Sequence, residues 1–237
     1  MKALVLAAGK GVRMRPLTSD KPKAMVLLKG KPLLEYTLKE LEKAGIEECG
    51  IVIGYHGKKI SSYFGESFGK MKLKYFVQAE ALGTAHAVSV AEEWLDADFV
   101  VGSADVIVEA GLYRELAEKR GFAAVVTVRH DDFPERYGVV RTSNDLVLGI
   151  SEKPREAGKN AWVNAGIYRF SPAVFEAIRE TKKSKRNEFE LTDSIKVLIS
   201  KGKRVGFVQL KGGCMDIGDL RDLERAEKSE LDFLSGF

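Results

Sequence analysis

The chain has 237 residues, of which 45% are hydrophobic and 30% charged, and its formal net charge is +4. This composition supports a real core and a well-solvated surface, in one large α/β domain or two small ones, and argues against the dense basic character of a nucleic-acid binder. Cys49 and Cys214 lie far apart without CxxC spacing. That argues against a disulfide framework or zinc site and for two reduced thiols in the cytoplasm, while no apolar run approaches the ~18–20 residues of a membrane span.

Ala3 to Ala8 is a short continuous apolar run, as expected of a strand buried on both faces. Its brevity, and the Gly/Arg loop that follows, argue for a first strand rather than a signal peptide. Gly9 to Pro22 reads as a loop. Leu34, Leu38 and Leu41 fall at helical spacing, with Gly45 as the stop. A strand over Cys49–Ile53, a weak helix over Lys58–Phe64 and a strand over Lys72–Val77 follow. Thr84 reads as the N-cap of a helix running to about Leu95. Phe99–Gly102 is apolar and ends in Ser103-Ala104-Asp105. Strand and helix thus alternate through the first half, which predicts a mainly parallel sheet with helices on both faces. Ligands bind beyond the carboxyl ends of such strands, where Gly9 and Asp105 both fall.

The second half is richer in strands: Phe122–Val128, Tyr137–Arg141, Leu146–Ile150 and Trp162–Phe170. They suggest a sub-sheet attached to the main one. Helices are predicted over Pro172–Thr181, Thr192–Lys201 and Ile217–Leu234. The basic run Lys182-Lys183-Ser184-Lys185-Arg186 reads as a solvated turn.

Gly9-Lys10-Gly11-Val12-Arg13-Met14-Arg15 follows the first strand. Glycines let backbone N–H groups approach phosphate oxygens, and arginines offer permanently charged forks for the same atoms. The loop is neither of two familiar phosphate motifs. Met14 stands where a dinucleotide fingerprint wants its third glycine, and GxxxxGK[ST] is absent.

The ordered string Gly9 to Thr18, then Lys21-Pro22-Lys23-Ala24-Met25 and Gly30-Lys31-Pro32-Leu33-Leu34, resembles the signature of the sugar-phosphate nucleotidylyltransferases, or NDP-sugar pyrophosphorylases. The resemblance runs from about Met1 to Leu223. It implies the nucleotide-diphospho-sugar transferase fold: a Rossmann-like, mainly parallel mixed α/β sheet flanked by helices, with a smaller sugar-binding sub-sheet. The whole chain, 1–237, would be one nucleotidyltransferase domain. Its nucleotide-binding half would cover about 1–130, its sugar-binding half about 131–223 and a C-terminal helix about 217–234.

Further roles are implied by the resemblance. Ala8, Gly9, Gly11 and Arg13 would wrap the triphosphate, and Arg15 and Lys23 would contact the reacting phosphates as catalytic residues. Gln78-Ala79-Glu80-Ala81-Leu82-Gly83-Thr84 resembles the base-recognition segment, with Gln78, Gly83 and Thr84 at a pyrimidine. Its wording is most similar to that of N-acetylglucosamine-1-phosphate uridylyltransferases, which favours UTP, with dTTP as the other candidate. Tyr137-Gly138-Val139-Val140, Glu152-Lys153-Pro154 and Asn164-Ala165-Gly166-Ile167-Tyr168 follow in family order. Gly138, Glu152 and Asn164 would meet the sugar, and Lys153 its phosphate. Asp105 and Asp216 match the two aspartates that hold Mg²⁺, a cation that suits one or two carboxylates plus phosphates. Asp193 in Glu190-Leu191-Thr192-Asp193 is family-like but reads as a helix-start residue.

The implied reaction is attack by a sugar 1-phosphate oxygen on the α-phosphorus of a nucleoside triphosphate. The nucleophile is already ionised, so no general base is needed. His56, His86 and His130 accordingly sit in no catalytic motif and read as surface or packing residues. Two positions depart from the pattern: Ala104 replaces a glycine, and Cys214 an aromatic residue. These bear on substrate identity more than on activity. Little chain follows the last helix, so the left-handed β-helix of many relatives is not expected. Two alternatives stay open: transfer to a non-sugar alcohol phosphate such as phosphocholine, from CTP, and a non-catalytic regulatory subunit on the same fold. Self-association is not readable, and neither a nucleic-acid nor a membrane partner is expected.

Overall fold

The computed structural model describes residues 1–152 and 160–229. The chain opens with β1 (Lys2–Leu6), a phosphate-loop candidate, and a small hairpin of β2 (Leu27–Leu28) and β3 (Lys31–Pro32). It continues through α1 (Leu33–Lys43), β4 (Glu48–Ile53), α2 (Lys58–Phe64), β5 (Ser67–Phe68), β6 (Met71–Val77) and α3 (Thr84–Ser89). Then come β7 (Phe99–Ser103), β8 (Val106–Val108), α4 (Ala110–Glu118), β9 (Ala124–Asp131), β10 (Gly138–Ser143), β11 (Leu146–Glu152) and β12 (Ala161–Phe170). The remainder holds α5 (Ala173–Glu180), α6 (Leu191–Ser200), β13 (Val205–Gln209), β14 (Cys214–Asp216) and α7 (Leu220–Lys228).

Ten of these strands form one mixed sheet in the order β10-β11-β13-β9-β12-β7-β1-β4-β6-β5. β1 runs parallel to both β4 and β7, and β4 runs parallel to β6. After β1 the chain thus goes first to one side and later to the other, a topological switch that opens a crevice at the carboxyl ends of β1 and β7. β12 joins antiparallel to β7 and β9. The strands of the second half are therefore continuous with the main sheet.

Alternating residues of β1 face opposite sides. Leu4 packs in the cluster containing Val52, Val88, Phe99 and Ile195, whereas Ala3 and Val5 join that of Leu34, Leu38, Ile51 and Leu116. A third cluster unites Met14, Val26, Leu28, Tyr36, Ile107, Ile217 and Leu223. It ties the candidate phosphate loop and the β2–β3 hairpin to α7.

Several expectations are corrected. The helix predicted to Leu95 ends at Ser89, and Glu92–Trp94 forms a separate 3₁₀ turn. Val88 and Val90 are β-branched and weaken the helix there, and the Ala91 N–H already bonds three residues back, to Val88. Thr84 is not the N-cap. Gly83 holds that position, and the Thr84 hydroxyl instead accepts from the Leu191 N–H at 2.9 Å. α7 begins at Leu220 rather than Ile217, because Asp219 and Asp222 form a reciprocal capping box. The predicted run from 230 to 234 lies outside the described residues. The basic turn is not merely solvated: Arg186 pairs at 2.7 Å with the buried Glu190. Among the described residues, no helix is long and apolar enough to cross a membrane.

Glu40, only 3% exposed, links two helices. Its carboxylate accepts from the Ala110 N–H at the start of α4 and from Lys43. Glu40→Ala leaves that buried N–H unpaired and is expected to cost about 1–3 kcal/mol. A urea midpoint shifted down at unchanged slope is the expected reading, and an unshifted midpoint would refute it.

Candidate active site

The end of β1 is held from both sides. The Ala7 N–H donates to Val52 at 2.9 Å, and the Ala104 N–H donates to Leu6 at 3.1 Å. These bonds extend the parallel ladders past the strands and fix Ala8, Gly9 and Asp105 at one rim. A cleft of about 260 Å³ opens there, lined by Ala8, Gly9, Lys23, Gln78, Thr84 and Asp105 among others. Gly83 lines it too. A Cβ on Gly9 would meet nothing within 4 Å, so the backbone at that wall stands open to a ligand.

The loop after Gly9 is internally locked. Gly11 adopts φ 61°, which brings the Met14 N–H and the Thr18 hydroxyl onto its carbonyl at 2.9 and 2.8 Å. Met14 is fully buried in the third cluster. Arg13 lies against the segment that carries Asp216: a Cβ on Gly218 would fall 3.5 Å from Arg13 Nη1. Arg15 is exposed, as Arg13 is; it precedes a cis Pro16, and its N–H donates to the Val12 carbonyl at 3.3 Å.

Asp105 and Asp216 are brought together by a two-stranded ribbon. β8 and β14 pair antiparallel with Val106 opposite Asp216, and the Ile217 N–H donates to the Asp105 carbonyl at 2.9 Å. Burial, and then the negative charge of Asp105, push the Asp216 carboxyl above its ordinary value. The Lys23 ammonium is hydrogen-bonded to the Asp105 carboxylate. Among the described residues, no group of three or more His, Cys, Asp or Glu side chains gathers in one place. A pair of carboxylates beside an open phosphate-sized wall suits a cation that completes its shell with ligand oxygens. Of the departing positions, Ala104 is buried in the second cluster, and burial pushes the Cys214 thiol up to about 11.

The expected sugar set also converges. Gly138 sits opposite Glu152, and Val139 opposite Val163 beside Asn164. A Cβ on Gly138 would lie 3.2 Å from Glu152 Oε2 and 3.7 Å from the Asn164 Cβ. Asn164 donates to the Tyr168 hydroxyl at 2.6 Å and accepts from the Gly166 N–H at 3.0 Å across a register shift in β12. Thr192 and Arg186 flank Glu152, at 3.4 and 3.8 Å. Lys153 lies outside the described residues. Ser103 and Ala81 also line the cleft from stretches already named, and Glu188, which also lines it, belongs to none. Nothing in the residue type of Glu188 marks it.

The nucleotidyl transferase family model matches residues 2–232. The chain belongs to that family. It is 37% identical to the UTP–glucose-1-phosphate uridylyltransferase AglF of Haloferax volcanii over 96% of each chain. It is 35% identical to the glucose-1-phosphate thymidylyltransferase of Streptomyces antibioticus, over 99% of this chain and 67% of that protein. The bifunctional protein GlmU of Methanocaldococcus jannaschii is 37% identical over 98% of this chain, which spans only 55% of that protein. Among solved structures, UDP-glucose pyrophosphorylase complexed with UDP-glucose superposes with a TM-score of 0.83 at 28% identity, over 95% of this chain and 96% of that one.

In this nucleotidyl transferase, the base-segment candidates are braced by the residues leading into α6. The Phe189 N–H donates to Leu82 at 2.7 Å, and the Ala85 N–H donates to Phe189 at 2.9 Å. Gly83 between them has φ 107°, and a Cβ there would lie 2.5 Å from the Phe189 oxygen. Gly83→Ala therefore meets both backbone strain and a clash, an expected loss of at least about 1–3 kcal/mol. Chemical denaturation checks this, and a loss well below that range would show that the two segments part freely.

Proposed function

We propose that this chain transfers a uridylyl or thymidylyl group from a nucleoside triphosphate to a sugar 1-phosphate, releasing pyrophosphate. The observation that carries the reading is the Asp105–Asp216 ribbon, set at the same rim as the phosphate loop, Lys23 and the open wall at Gly9. The relatives that act on glucose 1-phosphate support the acceptor class, and Gly138, Glu152 and Asn164 supply the polar surface that a polyhydroxy acceptor needs.

A phosphate oxygen of the sugar 1-phosphate attacks the α-phosphorus, and the bond from that phosphorus to the bridging oxygen of pyrophosphate breaks. The attacking oxygen is ionised near neutral pH, so catalysis rests on positioning and charge stabilisation. Asp105 and Asp216 would hold Mg²⁺, which supplies positive charge to neutralise the phosphates. Backbone at Ala8, Gly9 and Gly11 carries the triphosphate, and Gln78, Gly83 and Thr84 face the base. Lys23 meets the reacting phosphates, leaving Asp105 as it does so. Arg15 is the other cation of the loop, yet Arg13 is the one that lies against the Asp216 segment, so the stronger phosphate contact falls to Arg13. Lys153 takes the sugar phosphate. The two free thiols suit a cytoplasmic setting.

Crossing the nucleoside triphosphates with a panel of sugar 1-phosphates, with and without Mg²⁺, tests the proposal. Pyrophosphate release that requires Mg²⁺ is expected, and no turnover with any pair would sink it. Asp105→Asn and Lys23→Ala should each lower kcat by on the order of 10²–10³ in folded protein, the usual cost of one electrostatic group. Arg13→Ala should be more damaging than Arg15→Ala, and the reverse order would return the leading role to Arg15.

A further inference from the structure

One titratable side chain touches the base-facing group without a role in phosphate or sugar binding. Gln78 is buried, and its Nε2 lies 3.0 Å from the Gly83 carbonyl oxygen and 3.0 Å from His86 Nδ1. A carbonyl oxygen only accepts, so the amide NH₂ faces Gly83. The second contact is then a hydrogen bond only in the tautomer whose Nδ1 accepts and whose Nε2 carries the ring proton. Both amide hydrogens are consumed inside the protein. Gln78 Oε1 takes no hydrogen bond among the described residues and is not one of the buried polar atoms left without a partner. It is therefore the amide's open atom, on a side chain that lines the cleft.

We infer that His86 is a positioning residue for base selection, an inference that rests on the nucleotidyl-transfer reading above. By accepting from Gln78 it helps hold the amide with its carbonyl toward the nucleotide. That face suits a pyrimidine whose ring N3 carries a hydrogen, as in uracil and thymine. Cytosine presents a bare N3, so acceptor would meet acceptor. Reversing the amide would place Oε1 against the Gly83 carbonyl and require His86 to donate. Two contacts thus oppose the reversal, and His86 supplies one of them. Glu188, the charged group that lines the cleft beside Gly83, has a carboxylate that also only accepts when ionised. It offers cytosine N3 no donor.

The test uses equilibrium binding of UTP and of CTP, and kcat/KM for each where turnover occurs, in the wild type, His86→Leu and His86→Asn. The wild type should prefer UTP. His86→Leu removes one hydrogen bond that biases the amide and should narrow the UTP:CTP ratio by about tenfold, through affinity rather than kcat. His86→Asn, whose Oδ1 can accept from Gln78, should restore most of the ratio. An unchanged ratio in folded His86→Leu, or a wild type that binds CTP as well as UTP, overturns the inference. If the leucine variant does not fold, His86→Lys takes its place. Its ammonium can only donate, so it must narrow the ratio while His86→Asn does not, and equal ratios in the two overturn the inference. Preferential UTP binding without turnover would overturn the transfer reading alone, and the binding ratios would still decide the role of His86.

Discussion

Two carboxylates held side by side are an electrostatic liability, and much of this fold is arranged around that constraint. Asp105, in the turn before β8, and Asp216, in β14, are more than a hundred residues apart, yet the β8–β14 ribbon and the Ile217-to-Asp105 hydrogen bond leave them little freedom to separate. Burial and mutual repulsion raise the Asp216 carboxyl. Lys23 offsets part of that cost by bonding Asp105. The position of Lys23 therefore matters, and with it everything that fixes the loop before it: the left-handed turn at Gly11, the Thr18 hydroxyl, and Met14 buried against α7. α7 thus helps hold the arm that brings cations to the carboxylates.

The Leu82–Ala85 segment and Glu152 are coupled through a second set of contacts. The segment 184–192 pairs its backbone with Leu82 and Ala85, receives the Thr84 hydroxyl on the Leu191 N–H, and sends Thr192 and Arg186 toward Glu152. Glu190, buried and paired with Arg186 and Ser184, keeps this segment in place. A shift of α6 would consequently disturb both ends of the cleft together. Among the described residues, the strands on either side of β12 share one continuous sheet and this one brace.

Much of this was legible from sequence because the signals were local. β1 and β4 carry short apolar runs, β6 opens with apolar residues alternating with lysines, and α1 shows leucines at helical spacing closed by Gly45. Where the reading failed, the deciding forces were distant. α4 is held partly by Glu40, seventy residues away, and β13 is a five-residue strand whose partner β9 lies far up the chain. Thr84 has the residue type of an N-cap, but its hydroxyl is taken by Leu191. His86 carried no catalytic motif and read as packing, because its significance lies in a contact with Gln78 that only folding creates. The strand ends that carry Gly9 and Asp105 were readable, whereas Glu188 reached the cleft through tertiary placement.

The two arginines of the loop show where residue type stops being informative. In Val12-Arg13-Met14-Arg15 the charges are symmetric about Met14, and either guanidinium suits a phosphate. What separates them is the burial of Met14. The short 3₁₀ turn over Val12–Met14 drives that side chain into the cluster with Ile217 and Leu223. Arg13, within the turn, is thereby carried to Gly218, next to the strand that bears Asp216. Arg15, just past it, has extended backbone, donates its N–H to the Val12 carbonyl and lies before the cis Pro16. A single apolar anchor thus sorts two equivalent charges into different surroundings. Core packing, rather than residue type, sets Arg13 beside the segment that follows Asp216.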